Sequence, residues 1–190
     1  TPSVPKAPKA RRFAAGMTGI AILVTILMQL DKVILSRMLS LKGFGYYSLA
    51  SAISLALYRL VSPVYSATYP RLTSLVTLGD TEEITKLYHK SAQLVSVLIL
   101  PAAFVVAFFS KEILLLWTQS AETAEHTHML LSLLVMGTAF NGLMNIPYAL
   151  QLASGWTRLA FLGNVVSVLL LTPLMIVLTK WYGAVGAASV

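Results

Sequence analysis

The sequence predicts an all-α fold, a polytopic transmembrane helix bundle, and three observations support this fold class. First, 57% of the 190 residues are hydrophobic and only 11% are charged, whereas soluble domains carry about 25% charged residues. Second, the mean hydropathy of +0.77 excludes intrinsic disorder, because disordered chains have low hydrophobicity. Third, the apolar residues form runs of about 20, the length that a helix needs to cross the hydrocarbon layer.

Five apolar segments are long enough for complete spans, and a sixth begins at the end of the sequence. Residues 1–12 contain three Pro and four basic residues and are predicted to be a cytoplasmic tether. A transmembrane helical lobe then covers residues 13–190. Its predicted spans are residues 13–38, 44–69, 91–109, 129–153 and 159–179, with a partial span at 182–190.

The distribution of Lys and Arg predicts the orientation, because cytoplasmic loops of membrane proteins are enriched in these residues. Eight lie in the tether, the 71–90 loop and the 154–158 turn, against four or five in the opposite loops. These three segments are therefore expected on the cytoplasmic side. Within the 71–90 loop, Gly79 is expected to end one element and Asp80 or Thr81 to cap a short amphipathic helix.

Polar residues within the second predicted span indicate a candidate cavity wall. Arg59 lies about 15 Å from the cytoplasmic end of this span, where a lipid-facing Arg costs about 2.5–3.5 kcal/mol. Ser51 and Ser62 share its face at helical spacing. Two interpretations stay open: Arg59 pairs with a carbonyl or carboxylate, or it faces a water-filled cavity that receives a phosphate. Pro63 is expected to kink the helix just past Arg59.

Other spans add further candidates. Gln29 belongs to a polar face of the first span, and Asn141 and Asn145 share one face of the fourth. The two Asn residues are interpreted either as interhelical hydrogen-bonding groups or as a wall that contacts sugar hydroxyls. Asp31 and Lys32 lie near the outer boundary of the first span. They either extend to headgroups and water or take part in coupling or gating.

The sequence contains no motif for catalysis, metal binding or nucleotide hydrolysis. It has no Cys and no GxxxxGK[ST], HExxH or GxSxG pattern, so we expect neither an enzyme nor a cofactor nor a metal site. His126 and His128 are interpreted as solvated loop residues rather than metal ligands. Gly137 and Gly142 are expected to allow close approach of neighbouring helices.

The sequence also has a specific resemblance, which rests on four stretches: QLDKVILSRMLSLKGFGYYSLA, SPVYSATYPRLTSLVTLGD, EILLLWT and NIPYALQLASGWTRLAFLGN. In their order and spacing they resemble the Wzx-type oligosaccharide flippases of the multidrug/oligosaccharidyl-lipid/polysaccharide exporter superfamily. The resemblance covers residues 12–190. It implies one lobe, the second, of a two-lobe transporter, so the chain is expected to be a fragment that lacks the first lobe.

This resemblance implies a function and a set of partners. Wzx-type flippases move an undecaprenyl-pyrophosphate-linked oligosaccharide across the bacterial cytoplasmic membrane for polysaccharide and O-antigen biosynthesis. The implied partners are this lipid-linked oligosaccharide, membrane lipids, the first lobe and polysaccharide polymerase machinery, with no nucleic acid. A proton or sodium gradient is the implied energy source. The alternatives are a drug/cation antiporter of the same superfamily, a peptidoglycan-precursor flippase, or a membrane enzyme of the same pathway.

Overall fold

The structure of the protein is a computed structural model that describes residues 18, 21–22, 25 and 29–190. The predicted tether and most of the first half of the first span lie outside these residues. Every regular element that the structure describes is helical, which confirms the all-α prediction. The elements are α1 (residues 29–38), α2 (Leu41–Leu55), α3 (Tyr58–Leu78), α4 (Thr81–Phe108), α5 (Ser110–Thr118), α6 (Ala121–Leu143), α7 (Asn145–Ala153) and α8 (Thr157–Ala188).

The helices are long and apolar enough to form a membrane bundle. Among the described residues, three helical stretches can cross a membrane by length and composition: α4, the α6–α7 pair and α8. The α2–α3 pair is bent by 41° and makes a fourth if it is counted as one span. The described part of the chain therefore fits the predicted transmembrane helix bundle.

The structure differs from the prediction over residues 71–90, which form no separate interfacial helix. This segment is the end of α3 and the start of α4, joined at Gly79. Gly79 ends α3 in the left-handed conformation, at φ 75°, which glycine adopts without steric cost. The Asp80 carboxylate then accepts a hydrogen bond of 3.1 Å from the Glu83 N–H and caps α4. One tight turn therefore replaces the loop, as the capping residues allow.

The two histidines that were predicted to lie in a loop are instead helical. Ser120 caps α6 by accepting a 3.2 Å hydrogen bond from the Thr123 N–H, so the helix begins well before residue 129, where the span was predicted to start. His126 and His128 each contact a backbone carbonyl of the preceding turn at 2.8 Å. The ring of His126 also stacks on Tyr46.

Helix α6 is the centre of the lobe. It packs against α2, α4 and α5, and its fully buried residues Leu131 and Val135 belong to the largest apolar cluster. At the first turns of α6, Glu122 pairs with Lys42 of α2 and Glu125 pairs with Lys111 of α5. Because these ion pairs are exposed, apolar packing rather than charge holds α6 in place.

Gly142 allows α6 to approach α4 closely, as predicted. A Cβ atom at this position would lie 2.3 Å from Cδ1 of Ile99 and 3.5 Å from Cγ2 of Val61. Gly137 does not have this role, because no atom lies within 4 Å of the corresponding position. The two glycines are five residues apart and point in different directions around the helix.

Among the described residues, the buried positions of helix α8 lie near its two ends. Ala160 packs with Leu152 at one end, and no residue between 161 and 178 is buried. At the other end, Gly183 has non-helical torsion angles, φ 62° and ψ −141°, which turn the chain back. A Cβ atom at Gly186 would lie 2.1 Å from the carbonyl oxygen of Leu178. The short segment after the turn packs against the main apolar cluster.

Candidate functional site

Two helix breaks face each other in the middle of the lobe. One separates α2 from α3 at Ala56 and Leu57, and the other separates α6 from α7 at Met144. The hydroxyl of Tyr58, the first residue of α3, donates a hydrogen bond to the side-chain carbonyl of Asn141, near the end of α6. A polar contact therefore joins two discontinuous helices, an arrangement that transporters use around a cavity.

Proline chemistry accounts for the break between α6 and α7. Pro147 cannot donate to the carbonyl of Leu143, and its ring crowds that carbonyl, so α6 ends there. Pro63 instead lies inside α3, which continues through it. The break between α2 and α3 lies before Tyr58, not just past Arg59 as predicted. There, the N–H groups of residues 56 and 57 bond three residues back instead of four, at 3.1 Å each.

Arg59 lies in the first turn of α3, and its side chain is exposed on the surface of the lobe. Within the described part of the chain it forms no ion pair and no side-chain hydrogen bond. Arg59 is 19 residues from Ser40 and 20 residues from Gly79, hence about 30 Å from each end of the α2–α3 pair at the helical rise. Arg59 thus lies near the middle of the α2–α3 pair, and its exposed side chain faces away from the packed interior.

The two serines that were predicted to share the face of Arg59 separate in the structure. Ser62 follows Arg59 by one turn and is exposed. Ser51 is only 7% exposed and packs inside the lobe. The predicted common face assumes one continuous helix from residue 44 to 69. The break between α2 and α3 changes the rotation of the helix, so Ser51 is not on the cavity wall with Arg59.

The two asparagines have different roles. Asn141 is exposed and accepts the hydrogen bond from Tyr58. The amide of Asn145 donates to the backbone carbonyls of Asn141 and Gly142, at 3.2 Å each. The Met144 N–H also donates to the carbonyl of Asn141, at 3.1 Å, so the Asn145 side chain adds to the backbone contacts that hold the chain across the break. Of the pair, Asn141 is the one whose side chain reaches a neighbouring helix.

Gln29, Asp31 and Lys32 lie on α1, at a distance along the lobe from the two breaks. Gln29 is exposed and Lys32 is partly buried. The hydroxyl of Tyr47 donates a hydrogen bond of 3.1 Å to one carboxylate oxygen of Asp31. The other oxygen is buried and has no partner among the described residues. Asp31 is therefore held by α2 and does not extend to solvent.

Three tyrosines of α3 were missed by the sequence analysis. Tyr58, Tyr65 and Tyr69 form one stripe on α3, and Tyr148 lies on the facing helix α7. The rings of Tyr65 and Tyr69 stack, with centroids 5.8 Å apart. The spacing of seven and four residues in YRLVSPVYSATY is the signal that could have revealed this stripe.

No group of three or more acidic, His or Cys side chains in the described part of the chain could hold a metal ion. Lys111 lies at the end of the lobe that holds Ser120, on the short helix α5 and outside the spanning helices. The neighbouring carboxylate of Glu125 raises the pKa of the Lys111 ammonium group. This contact keeps Lys111 charged but provides no acid or base for chemistry.

The long apolar helices, two of them broken in mid-course, define a polytopic membrane protein. Over residues 3–122 the sequence matches the family described as "Polysaccharide biosynthesis protein". This match covers more than half of the chain, which therefore belongs to that family, and the predicted family is confirmed.

A curated relative extends the likeness over almost the whole chain. It is named "Putative O-antigen transporter", comes from Shigella flexneri, and is 24% identical over 176 residues. The aligned region covers 93% of this chain and 41% of the relative, so the chain spans about two fifths of that relative's length. No solved structure matches the chain.

Proposed function

We propose that the chain is part of a transporter that flips an undecaprenyl-pyrophosphate-linked oligosaccharide across the bacterial cytoplasmic membrane for polysaccharide biosynthesis. The family and the name of the Shigella flexneri relative support a polysaccharide transporter. Flipping breaks no covalent bond, so the protein acts as a carrier rather than an enzyme and needs no cofactor. A first lobe of the same protein completes the pathway, and polysaccharide polymerase machinery receives the product.

The exposed Arg59 is the observation that carries this proposal. A guanidinium at mid-depth costs about 2.5–3.5 kcal/mol if it faces acyl chains, and this one has no carboxylate partner in the described chain. A diphosphate is the ligand that best matches a planar, permanently charged guanidinium, through paired hydrogen bonds. Arg59 therefore lowers the free energy of the diphosphate where the bilayer opposes it most.

Polar groups near Arg59 extend the proposed path. Ser62 and Asn141 are exposed close to the two helix breaks, and they supply a hydroxyl and an amide for sugar groups. Gln29 adds an exposed amide on α1. The prenyl chain stays in the lipid during transport, because only the diphosphate and the glycan need a polar route.

Asp31 is proposed to bind the coupling ion, with Lys32 next to it as a gating charge. The support is the buried carboxylate oxygen of Asp31 that has no donor in the described chain, since an anionic oxygen that is removed from water can be compensated by a bound cation. This site lies on α1 and is distinct from the proposed diphosphate site. Coupling can therefore fail in a variant that still binds substrate.

Arg59→Gln tests the proposal in the full-length transporter reconstituted into liposomes. The measurement is the initial rate at which a fluorescent undecaprenyl-pyrophosphate-linked oligosaccharide changes leaflet. Removal of one charge-assisted phosphate contact is expected to lower this rate at least about tenfold. The control is Arg158→Gln, since Arg158 is an exposed arginine at the end of the lobe; it should retain the wild-type rate.

Two results would contradict the proposal. In the first, Arg59→Gln flips the lipid as fast as the wild type. In the second, the wild-type transporter moves no lipid-linked glycan but exports an organic cation, and Asp31→Asn abolishes this export. The second result would favour the drug/cation antiporter.

A further inference from the structure

A compact group of aromatic side chains lies between α3 and α7, toward the end of the lobe that holds Gly79. We call Tyr65, Tyr69 and Tyr148 the tyrosine cluster. The rings of Tyr65 and Tyr69 are nearly parallel, with centroids 5.8 Å apart and planes inclined by 5°. Tyr148 and Tyr69 pack against the same small apolar group, Leu152 and Ala160.

The hydroxyls of this cluster have no hydrogen-bond partner among the described residues. In contrast, the hydroxyl of Tyr58 bonds to Asn141, and that of Tyr47 bonds to Asp31. All three tyrosines of the cluster are partly buried. A partly buried phenol normally hydrogen-bonds at its polar end. Three neighbouring hydroxyls without protein partners therefore form a surface that suits a ligand with many hydroxyl groups.

The position of the cluster relates it to Arg59. Tyr65 and Tyr69 follow Arg59 by six and ten residues on one helix, hence by about 9 and 15 Å along the axis. Ser62 lies between Arg59 and Tyr65 in the sequence and is exposed. Around the helix axis the two tyrosines are rotated from Arg59 by about 120° and 80°. A molecule that placed its diphosphate at Arg59 would therefore have to pass around α3, in the direction of Gly79, to reach the tyrosine cluster.

An interfacial anchoring role fits this cluster less well than it fits the tryptophans. Trp156 and Trp181 are 64% and 72% exposed, as expected of aromatic side chains that face headgroups. The cluster is instead partly buried, and its rings pack along the contact between α3 and α7. Its geometry is that of a binding surface within the protein.

We propose that the tyrosine cluster is a carbohydrate-binding site that receives the glycan of the lipid-linked substrate. The aromatic faces pack against the C–H faces of sugar rings, and the phenol hydroxyls exchange hydrogen bonds with sugar hydroxyls. The inference rests on the proposed function, because it assigns the glycan and the diphosphate of one substrate to two neighbouring sites. The cluster then recognises the sugar, whereas Arg59 recognises the part common to all such lipids.

The test compares two probes on the full-length transporter in lipid nanodiscs. One probe is undecaprenyl pyrophosphate, and the other is the same lipid carrying one N-acetylglucosamine. The triple variant Tyr65→Phe, Tyr69→Phe, Tyr148→Phe removes the hydroxyls but keeps the rings. Tyr182→Phe is the matched control, since Tyr182 is exposed on α8. Unfolding midpoints check that each protein folds, and single Phe variants replace the triple variant if it does not.

The triple variant should bind the glycosylated probe about tenfold more weakly, as expected for the loss of a few neutral hydrogen bonds. Its affinity for the sugar-free probe should stay at the wild-type value, and the control should match the wild type with both probes. An equal loss for both probes, or no loss for either, would overturn the inference while the wild type still binds both. If the wild type itself binds neither probe, the proposed function fails as well.

Discussion

Helices α6 and α8 are both long and apolar, yet the lobe uses them in opposite ways. In the most apolar window of the α6–α7 pair, 33% of the residues are buried within the protein, whereas none are buried in the corresponding window of α8. Helix α8 is thus the more apolar of the two and also the less buried. Inside a bilayer, lipid tails are as apolar as leucine. Hydropathy therefore indicates that a helix enters the membrane but not whether lipid or protein surrounds it.

Small residues, rather than apolar content, distinguish the contacts of the two helices. Gly142 brings α6 against Ile99 of α4, whereas Gly186 brings the end of α8 back against Leu178 of the same helix. The first contact joins two helices through van der Waals packing, which is the main source of helix association in membranes. The second closes the turn at the end of α8. Substitutions at these glycines therefore test the packing of the central helix and the turn of the peripheral helix separately.

The largest effect is expected for Gly186→Ala, which disrupts the turn at the end of α8. The new Cβ would meet the backbone carbonyl of Leu178, at 2.1 Å, and a backbone atom cannot move aside as a side chain can. We expect a loss of about 3 kcal/mol in the free energy of unfolding, measured by detergent titration of the full-length protein. Gly163→Ala is the control, because Gly163 lies on the same helix with no atom nearby. A stable Gly186→Ala protein would show that the chain does not turn back at Gly183.

A smaller loss is expected for Gly142→Ala, in the central helix. The Cβ would meet the end of the Ile99 side chain, at 2.3 Å, and a terminal methyl group can rotate at some cost although Ile99 is fully buried. The free energy of unfolding should fall by about 1–2 kcal/mol. Gly137→Ala should not reduce it, since that position is open. Equal effects of the two substitutions would contradict the packing of α6 against α4.

The smallest effect concerns the polar contact between the two helix breaks. Tyr58→Phe and Asn141→Ala each remove one partner of the same hydrogen bond. In both variants the side-chain amide of Asn145 can still donate its hydrogen bond to the backbone carbonyl of residue 141. A double-mutant cycle on the free energy of unfolding should give a coupling of about 0.6 kcal/mol, the average for such bonds in membranes. Strict additivity would mean that Tyr58 and Asn141 do not touch.

Part of the candidate site could be read from the sequence, and each error has its own physical cause. Arg59 was identified from depth alone, because the cost of a charge in hydrocarbon depends only on position. Ser51 was assigned to the same face and is buried, because the helical period is interrupted between α2 and α3. The tyrosine cluster was missed since its members belong to two helices, and no spacing within one helix relates Tyr148 to Tyr65.

The sequence by itself determined the fold class, because long apolar runs with few charges can only be helices in a bilayer. It also indicated where some helices end and begin, such as at Gly79 and Asp80, because such caps depend only on neighbouring backbone atoms. Only the tertiary structure decided which helix is central and which groups share a surface. These features depend on close packing between segments far apart in the chain, and in an apolar solvent the hydrophobic pattern carries no information about that choice.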